Sequence, residues 1–127
     1  MISLREGPDL DLDALIALRV RCAFSAQTPD FLARQIAGTR WVIHAYDGER
    51  LIGFARALTD GVATAYVGSV MVDPDYRRRG VGRALLGRLM DCRDDIKFVL
   101  HTRTESAEFY AALGFVDATQ MMVRERR

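Results

Sequence analysis

The chain has 127 residues, half of them hydrophobic and 28% charged, with a formal net charge of +1. That length fits one domain over residues 1–127 with a real core. The near-neutral charge supplies no global field for nucleic acid or anionic lipid, and no run of 18 or more apolar residues exists to span a membrane.

Met1 to Glu6 lacks the basic region, apolar run and cleavage site of a signal peptide. The cysteines, Cys22 and Cys92, are too few for a disulfide framework and read as reduced thiols in a cytoplasmic protein. Two separated histidines and two separated cysteines match no metal-ligand spacing, so no metal is expected.

In chain order, Leu4-Arg5 reads as part of a first short strand. Asp9 or Asp11 caps a helix over about Leu12 to Ala23, with Leu12, Leu15, Ile16, Val20 and Ala23 on one face. A second helix starts at Pro29 or Asp30 and runs to Ala37, where Gly38 stops it. The period then shortens to two. Trp41 to Tyr46 is a strand, Asp47-Gly48 a hairpin signal, and Leu51 to Leu58 the returning strand. Asp60-Gly61 turns the chain into a third strand over Ala63 to Val72.

The second half alternates. Gly82 to about Cys92 reads as a helix, Ile96 to Leu100 as a buried strand, and Ser106 to Leu113 as a helix capped by the serine and stopped by Gly114. Phe115 to Val123 reads as a last strand or pair of strands, with Arg124 to Arg127 its solvated end. The order β-α-α-β-β-β-α-β-α-β combines an antiparallel set with one β-α-β unit, an α/β (α+β) mixed sheet with helices on both faces.

Val70 to Leu86 carries the chemistry. A strand ends at Val72, Asp73-Pro74 turns, and Arg77-Arg78-Arg79-Gly80-Val81-Gly82-Arg83 leads into an apolar-striped helix. The first N–H groups of a helix lack intrahelical acceptors and sit at its positive end. Gly80 and Gly82 let a bulky anion approach the backbone, and the arginines add charge, so the segment suits a pyrophosphate. No lysine followed by serine or threonine completes a P-loop, and no G-x-G-x-x-G is present.

In these residues the sequence resembles the GNAT superfamily of acetyl-CoA-dependent N-acetyltransferases. The R/Q-x-x-G-x-G/A signature after V-x-V-x-P is matched by Val70 to Gly82. A second block, an aromatic-tyrosine pair followed by L-G-F, is matched by Phe109-Tyr110-Ala111-Ala112-Leu113-Gly114-Phe115. The resemblance implies a sheet splayed at its centre, with pantetheine lying in the gap against the backbone of Val70, Met71 and Val72. It implies that the stretch Arg77, Arg78, Arg79, Gly80, Val81, Gly82 and Arg83 binds the cofactor, its amides from Arg78 to Arg83 holding the pyrophosphate. Arg78 or Arg79 would also reach a phosphate by its side chain. Val81 and Leu85 would face the core.

Tyr110 matches the family's general acid, which protonates the departing thiolate, and an N–H near Val72 would stabilise the oxyanion. The acceptor would be an amine of a small molecule or a protein, in a chain able to form a homodimer through its last strand. Two departures stand out. Gly68-Ser69 occupies the place of the family's acidic residue, and Arg103 that of its asparagine. Asp60, Tyr66, Glu49, His44 and Glu105 are conceivable bases, with none assigned. Phe24, Phe31, Trp41 and Tyr66 are candidates to line the acceptor site. The alternative to an enzyme is an acyl-CoA-binding sensor or interaction module on the same fold.

Overall fold

A computed structural model describes all 127 residues. The elements run β1 Ile2–Glu6, α1 Leu12–Arg21, α2 Pro29–Ala37, β2 Trp41–Asp47, β3 Arg50–Thr59, β4 Thr64–Val72, α3 Val81–Met90, β5 Lys97–Leu100 and α4 Ala107–Ala111. Short 3₁₀ turns at Pro74–Tyr76 and Thr104–Ser106 precede α3 and α4. The strands form one sheet in the order β1-β2-β3-β4-β5, antiparallel except for the parallel pair β4 and β5.

Local chemistry sets the helix starts. Asp11 caps α1 by accepting from the amides of Asp13 at 2.9 Å and Ala14 at 3.3 Å. Thr28 caps α2 through the Phe31 amide at 3.1 Å, and Pro29 fits the first turn, where no N–H is needed. Ala23 takes a left-handed φ of 59°, so α1 stops at Arg21, short of the expected end.

The period-two alternation of β2 divides the interior. Val42 and Tyr46 join Leu15, Leu18, Leu32, Ile36 and Phe54 under α1 and α2. Ile43 and Ala45 join Ala55, Ala57, Val81, Leu85, Leu86 and Leu89 under α3. A bulge in β3 pairs Ala45 with Gly53 and Tyr46 with Leu51, so Ile52 is the extra residue. A Cβ on Gly53 would lie 2.9 Å from Leu85 Cδ1 and 3.1 Å from Val81 Cγ1, so glycine is what lets α3 settle onto the sheet.

His44, among the conceivable bases, is 1% exposed. The Gly7 carbonyl, 3.0 Å from Nε2, can only accept, so Nε2 carries the proton and Nδ1 accepts from the Tyr46 hydroxyl at 2.7 Å. Burial holds its pKa below the ordinary histidine value, against the opposing pull of the Gly7 carbonyl.

Two expectations fail in the last quarter. The strand expected over Phe115 to Val123 does not form, and Val116, Met122 and Val123 are exposed. The apolar residues there come in adjacent groups, Phe115-Val116 and Met121-Met122-Val123, so no single face of a strand could be buried. The Phe115 amide instead donates to the Tyr110 carbonyl at 3.1 Å, closing the end of α4, with Gly114 at φ 96°. Ser106 makes no side-chain cap, because its backbone, at φ −101° and ψ −2°, is already helical rather than extended as a capping residue requires. No helix is long and apolar enough to cross a membrane.

Candidate active site

β4 and β5 pair only from Thr64↔Lys97 to Val67↔Leu100. Beyond that point β4 continues to Val72 along β3, while the chain after Leu100 turns away. Ser69, at φ 53°, lies where β4 carries an extra residue: the register steps from Phe54↔Met71 to Arg56↔Gly68. The result is a cleft of about 880 Å³ between the two strands. Gly68 to Val72 forms one wall and Leu100 to Arg103 the other, with Phe24 near one mouth, the glycine loop at the far end and Cys22 beside Val72.

The β3 pairing decides which backbone groups are free. The Asp73 amide donates to the Ile52 carbonyl at 2.8 Å. By antiparallel alternation, Met71 then also faces β3, while Val70 and Val72 turn their N–H and C=O groups toward the cleft. Met71, 2% exposed, packs in the core as well as bordering the cleft, and Val70 and Val72 present backbone groups to it. The Val72 carbonyl already accepts from Arg77 Nε and Cys22 Sγ, each at 3.3 Å.

The turn after β4 is fixed by charge. Asp73, 0% exposed, accepts from Arg21 at 2.8 Å, Arg50 at 3.0 Å and the Asp75 amide at 3.0 Å. Burial alone would raise its pKa, but the Asp75 amide and the two guanidiniums outweigh burial and hold it below the usual carboxylate range. Tyr76 then donates to Asp47 at 2.5 Å, and Arg50 and Arg79 lie over its ring at 5.5 and 5.2 Å.

The loop itself enters α3 through Gly80, whose φ of 80° favours glycine. No amide from Arg78 to Arg83 donates to an acceptor in the chain; the first helical bond is from Ala84 to the Gly80 carbonyl at 3.0 Å. Of the loop arginines, Arg77, Arg78 and Arg83 line the cleft, whereas Arg79 is taken up by Tyr76. Gly82 serves packing as well as access: a Cβ there would meet the Phe109 ring at 3.0 Å. Val81 and Leu85 lie in the core, as expected.

Tyr110 faces the same cleft from α4, edge-on to Phe109 at 5.0 Å and to Phe115 at 5.8 Å. Burial raises the pKa of its hydroxyl, which keeps the proton on it throughout the neutral range. Among the conceivable bases only Tyr66 and Glu105 reach the cleft. Asp60 instead accepts from the Val62 and Ala63 amides in the β3–β4 turn, and Glu49 lies exposed in the β2–β3 turn. Of the aromatic candidates, Phe24 and Tyr66 line the cleft, Phe31 packs on the core under α1 and α2, and Trp41 is covered by Arg93 at 3.7 Å and by Phe98.

Sequence reasoning missed the Asp73 clamp, the bulge at Ser69 and Arg19, Arg21, Arg50 and Arg56. The bulge had a signal, an isolated glycine inside a strand, Gly68. Arg21, Arg50 and Arg56 had none, because their partners lie far away in sequence. No group of His, Cys, Asp and Glu is arranged to hold a metal ion.

The profile of the acetyltransferase (GNAT) family matches residues 12–115, from α1 through the loop to the end of the Tyr110 block. The chain belongs to the GNAT family. Its relatives include a soybean (Glycine max) protein named histone acetyltransferase TAP1, 40% identical over 70 residues. They also include rice (Oryza sativa subsp. japonica) serotonin N-acetyltransferase 2, chloroplastic, 31% identical over 118 residues. These matches cover 53% and 87% of this chain but only 30% and 59% of the relatives' own lengths. Among solved structures, a GNAT family acetyltransferase from Streptococcus pneumoniae TIGR4 shares the fold with a TM-score of 0.80 at 21% identity, over 100% of both chains. The splayed β4 and β5 and the glycine loop before α3 thus stand on a GNAT fold.

Proposed function

We propose that this chain transfers an acetyl group from acetyl-CoA to an amine. The observation that carries the reading is the run of unengaged amides from Arg78 to Arg83, opening onto a gap in the sheet lined by the Val70 and Val72 backbone. That arrangement fits a pyrophosphate joined to an extended, amide-bearing arm.

In this reading the Arg78 to Arg83 amides hold the pyrophosphate, with Arg77, Arg78 and Arg83 adding charge from the cleft wall and Arg79 acting through its backbone. Val70 and Val72 orient the pantetheine arm, and Met71 holds their strand against β3. Acetyl-CoA supplies an acetyl thioester: the amine nitrogen bonds to its carbonyl carbon, the carbon–sulfur bond breaks, and CoA leaves as the thiol. Tyr110 Oη holds the proton destined for the sulfur. The Val72 N–H, turned away from β3, is the donor on the cleft wall for developing negative charge on the carbonyl oxygen. The proton lost by the amine passes toward Tyr66 or Glu105, the candidates the cleft contains.

The relatives named for histone and for serotonin support an amine acceptor, protein or small molecule. The two unpaired cysteines suit a reducing, cytoplasmic setting. The open edge of β5 is where a second copy would pair in a homodimer. The absence of an acidic residue at Gly68-Ser69 favours a second reading, an acyl-CoA-binding sensor without turnover.

Thermal unfolding with acetyl-CoA, CoA and NADPH, followed by CoA release across a panel of amines, tests both. Acetyl-CoA at 100 times its Kd should stabilise the fold by about 2.7 kcal/mol. A melting shift with CoA release supports the enzyme, and a shift without release under any amine supports the sensor. No shift in folded protein refutes both.

A further inference from the structure

The α1 mouth of the cleft holds more positive charge than the chain neutralises. Arg19 is 6% exposed and bonds only to Ser25, its Nε and Nη2 reaching the carbonyl at 3.1 and 2.9 Å. Its guanidinium also lies 5.4 Å from the centre of the Phe24 ring, and Arg103 lies 5.8 Å from that same centre. Arg56 is half-buried on β3, beside the bulge, with Nε donating to Ser69 Oγ at 3.2 Å and Nη1 to Thr39 Oγ1 at 3.4 Å. Phe24, Ser69 and Arg103 all line the cleft.

None of these arginines forms a salt bridge, although other arginines of the chain do. Glu105 is the sole carboxylate on the cleft wall, and it pairs with none of them. Partial burial without a counter-ion is costly for a guanidinium, and a like charge nearby adds to the cost. Burial pulls the Arg56 pKa below the ordinary guanidinium value, against an opposing pull from Tyr66, and the Arg19 charge lowers it further. The polar partners present are hydroxyls and a carbonyl, which position a guanidinium without neutralising it. The donors left over match the planar, forked recognition of a carboxylate or phosphate.

Resting on the acetyl-transfer reading above, we propose that the acceptor carries an oxyanion, a carboxylate or phosphate, near its amine nitrogen. Arg56, assisted by Arg103, receives that group at the α1 mouth while the amine faces the gap between β4 and β5. Small amino acids or phosphorylated amines fit this requirement. A lysine side chain, whose own backbone carboxyl is tied up in a peptide bond, does not.

The test uses matched pairs: phenylalanine against phenethylamine, and O-phosphoethanolamine against ethanolamine. CoA release gives kcat and KM for each, and calorimetric titration in the absence of acetyl-CoA gives binding alone. The acid member of at least one pair should be favoured roughly 10- to 100-fold in kcat/KM, the worth of a charge-assisted hydrogen bond. Which pair shows it separates a carboxylate site from a phosphate site. In Arg56→Met the preference should collapse through KM, with Arg56→Lys restoring part of it. Arg103→Gln, a change at an exposed side chain, should weaken it several-fold and keeps the test open should Arg56→Met fail to fold.

Equal or better use of the neutral amines, or an unchanged ratio in the folded variants, overturns the proposal. If no amine is acetylated, the acetyl-transfer reading falls, and the titrations decide the site by themselves. Selective binding of the acids that is lost in Arg56→Met supports it, and no selectivity overturns it.

Discussion

Both ends of the cleft are furnished with arginine, but the two ends treat the charge differently. At the loop end, Arg21 and Arg50 converge on the buried carboxylate of Asp73, and Arg50 and Arg79 lie over Tyr76. Those guanidiniums are satisfied internally and hold a turn in place, while Arg77, Arg78 and Arg83 line the cleft beside the unengaged backbone amides. At the α1 mouth no such clamp forms. The guanidiniums of Arg56 and Arg103 have no carboxylate. Paired arginine builds the frame, and arginine without a carboxylate is left over at both ends. The residue type alone does not distinguish the two uses.

The sharpest contrast should come from Tyr110→Phe, which removes one hydroxyl between the two ends. It is expected to lower kcat by about 100-fold or more, while the melting shift with acetyl-CoA persists. A near-normal kcat would remove Tyr110 from the proton path.

At the loop end, Asp73→Ala leaves two guanidiniums facing a buried hole. Urea unfolding should show a loss of about 3 kcal/mol, since Asp73 is fully buried although its partners are partly solvated. A loss below about 0.5 kcal/mol would mean that the clamp behaves as an ordinary surface pair.

Gly82→Asp places a side chain against the Phe109 ring and a negative charge beside the free amides. Acetyl-CoA should then give little or no melting shift, while the unliganded protein still folds. An undiminished shift would separate the glycine loop from phosphate binding.

The smallest effect concerns the frame where β2 meets the loop before α1. His44 is buried neutral, with its pKa depressed in the folded state by burial. Its contribution to stability is therefore present above the unfolded histidine value of about 6.5 and is lost as pH falls through the lower folded value. The melting temperature of the native protein should decline on acidification from neutrality to below pH 6, with a shallower decline in His44→Gln. Equal slopes in the two proteins would assign the acid sensitivity elsewhere.

Much of this frame was legible in the sequence because its signals are local. The α2 boundaries follow from Pro29 and Gly38, and the loop before α3 from Gly80 and its arginines. Tyr110 was found through the L-G-F that follows it. What escaped depends on pairings across long stretches of chain. Asp73 reads in sequence as a turn residue before proline, and only the fold brings Arg21 and Arg50 to it. Arg56 occupies a strand position that alternation assigns to an interior face, and nothing nearby reveals that its partners are Ser69 and Thr39. The last strand was expected from the β-prone composition of Phe115 to Val123. Its failure shows that composition without alternation leaves no face to bury.

The Asp73 clamp also bears on how the binding loop comes into being. Its ion pair with Arg21 spans a sequence separation of 52 residues, and that with Arg50 spans 23. The chain must therefore close two loops before the turn that launches α3 acquires its counter-ions, an entropic cost met only when most of the sheet is in place. A peptide holding β4, the glycine loop and α3 would contain the whole signature and neither arginine. The signature is contiguous in sequence, yet the charge that anchors its entry turn is supplied from outside it, by Arg21 at the end of α1 and Arg50 at the start of β3.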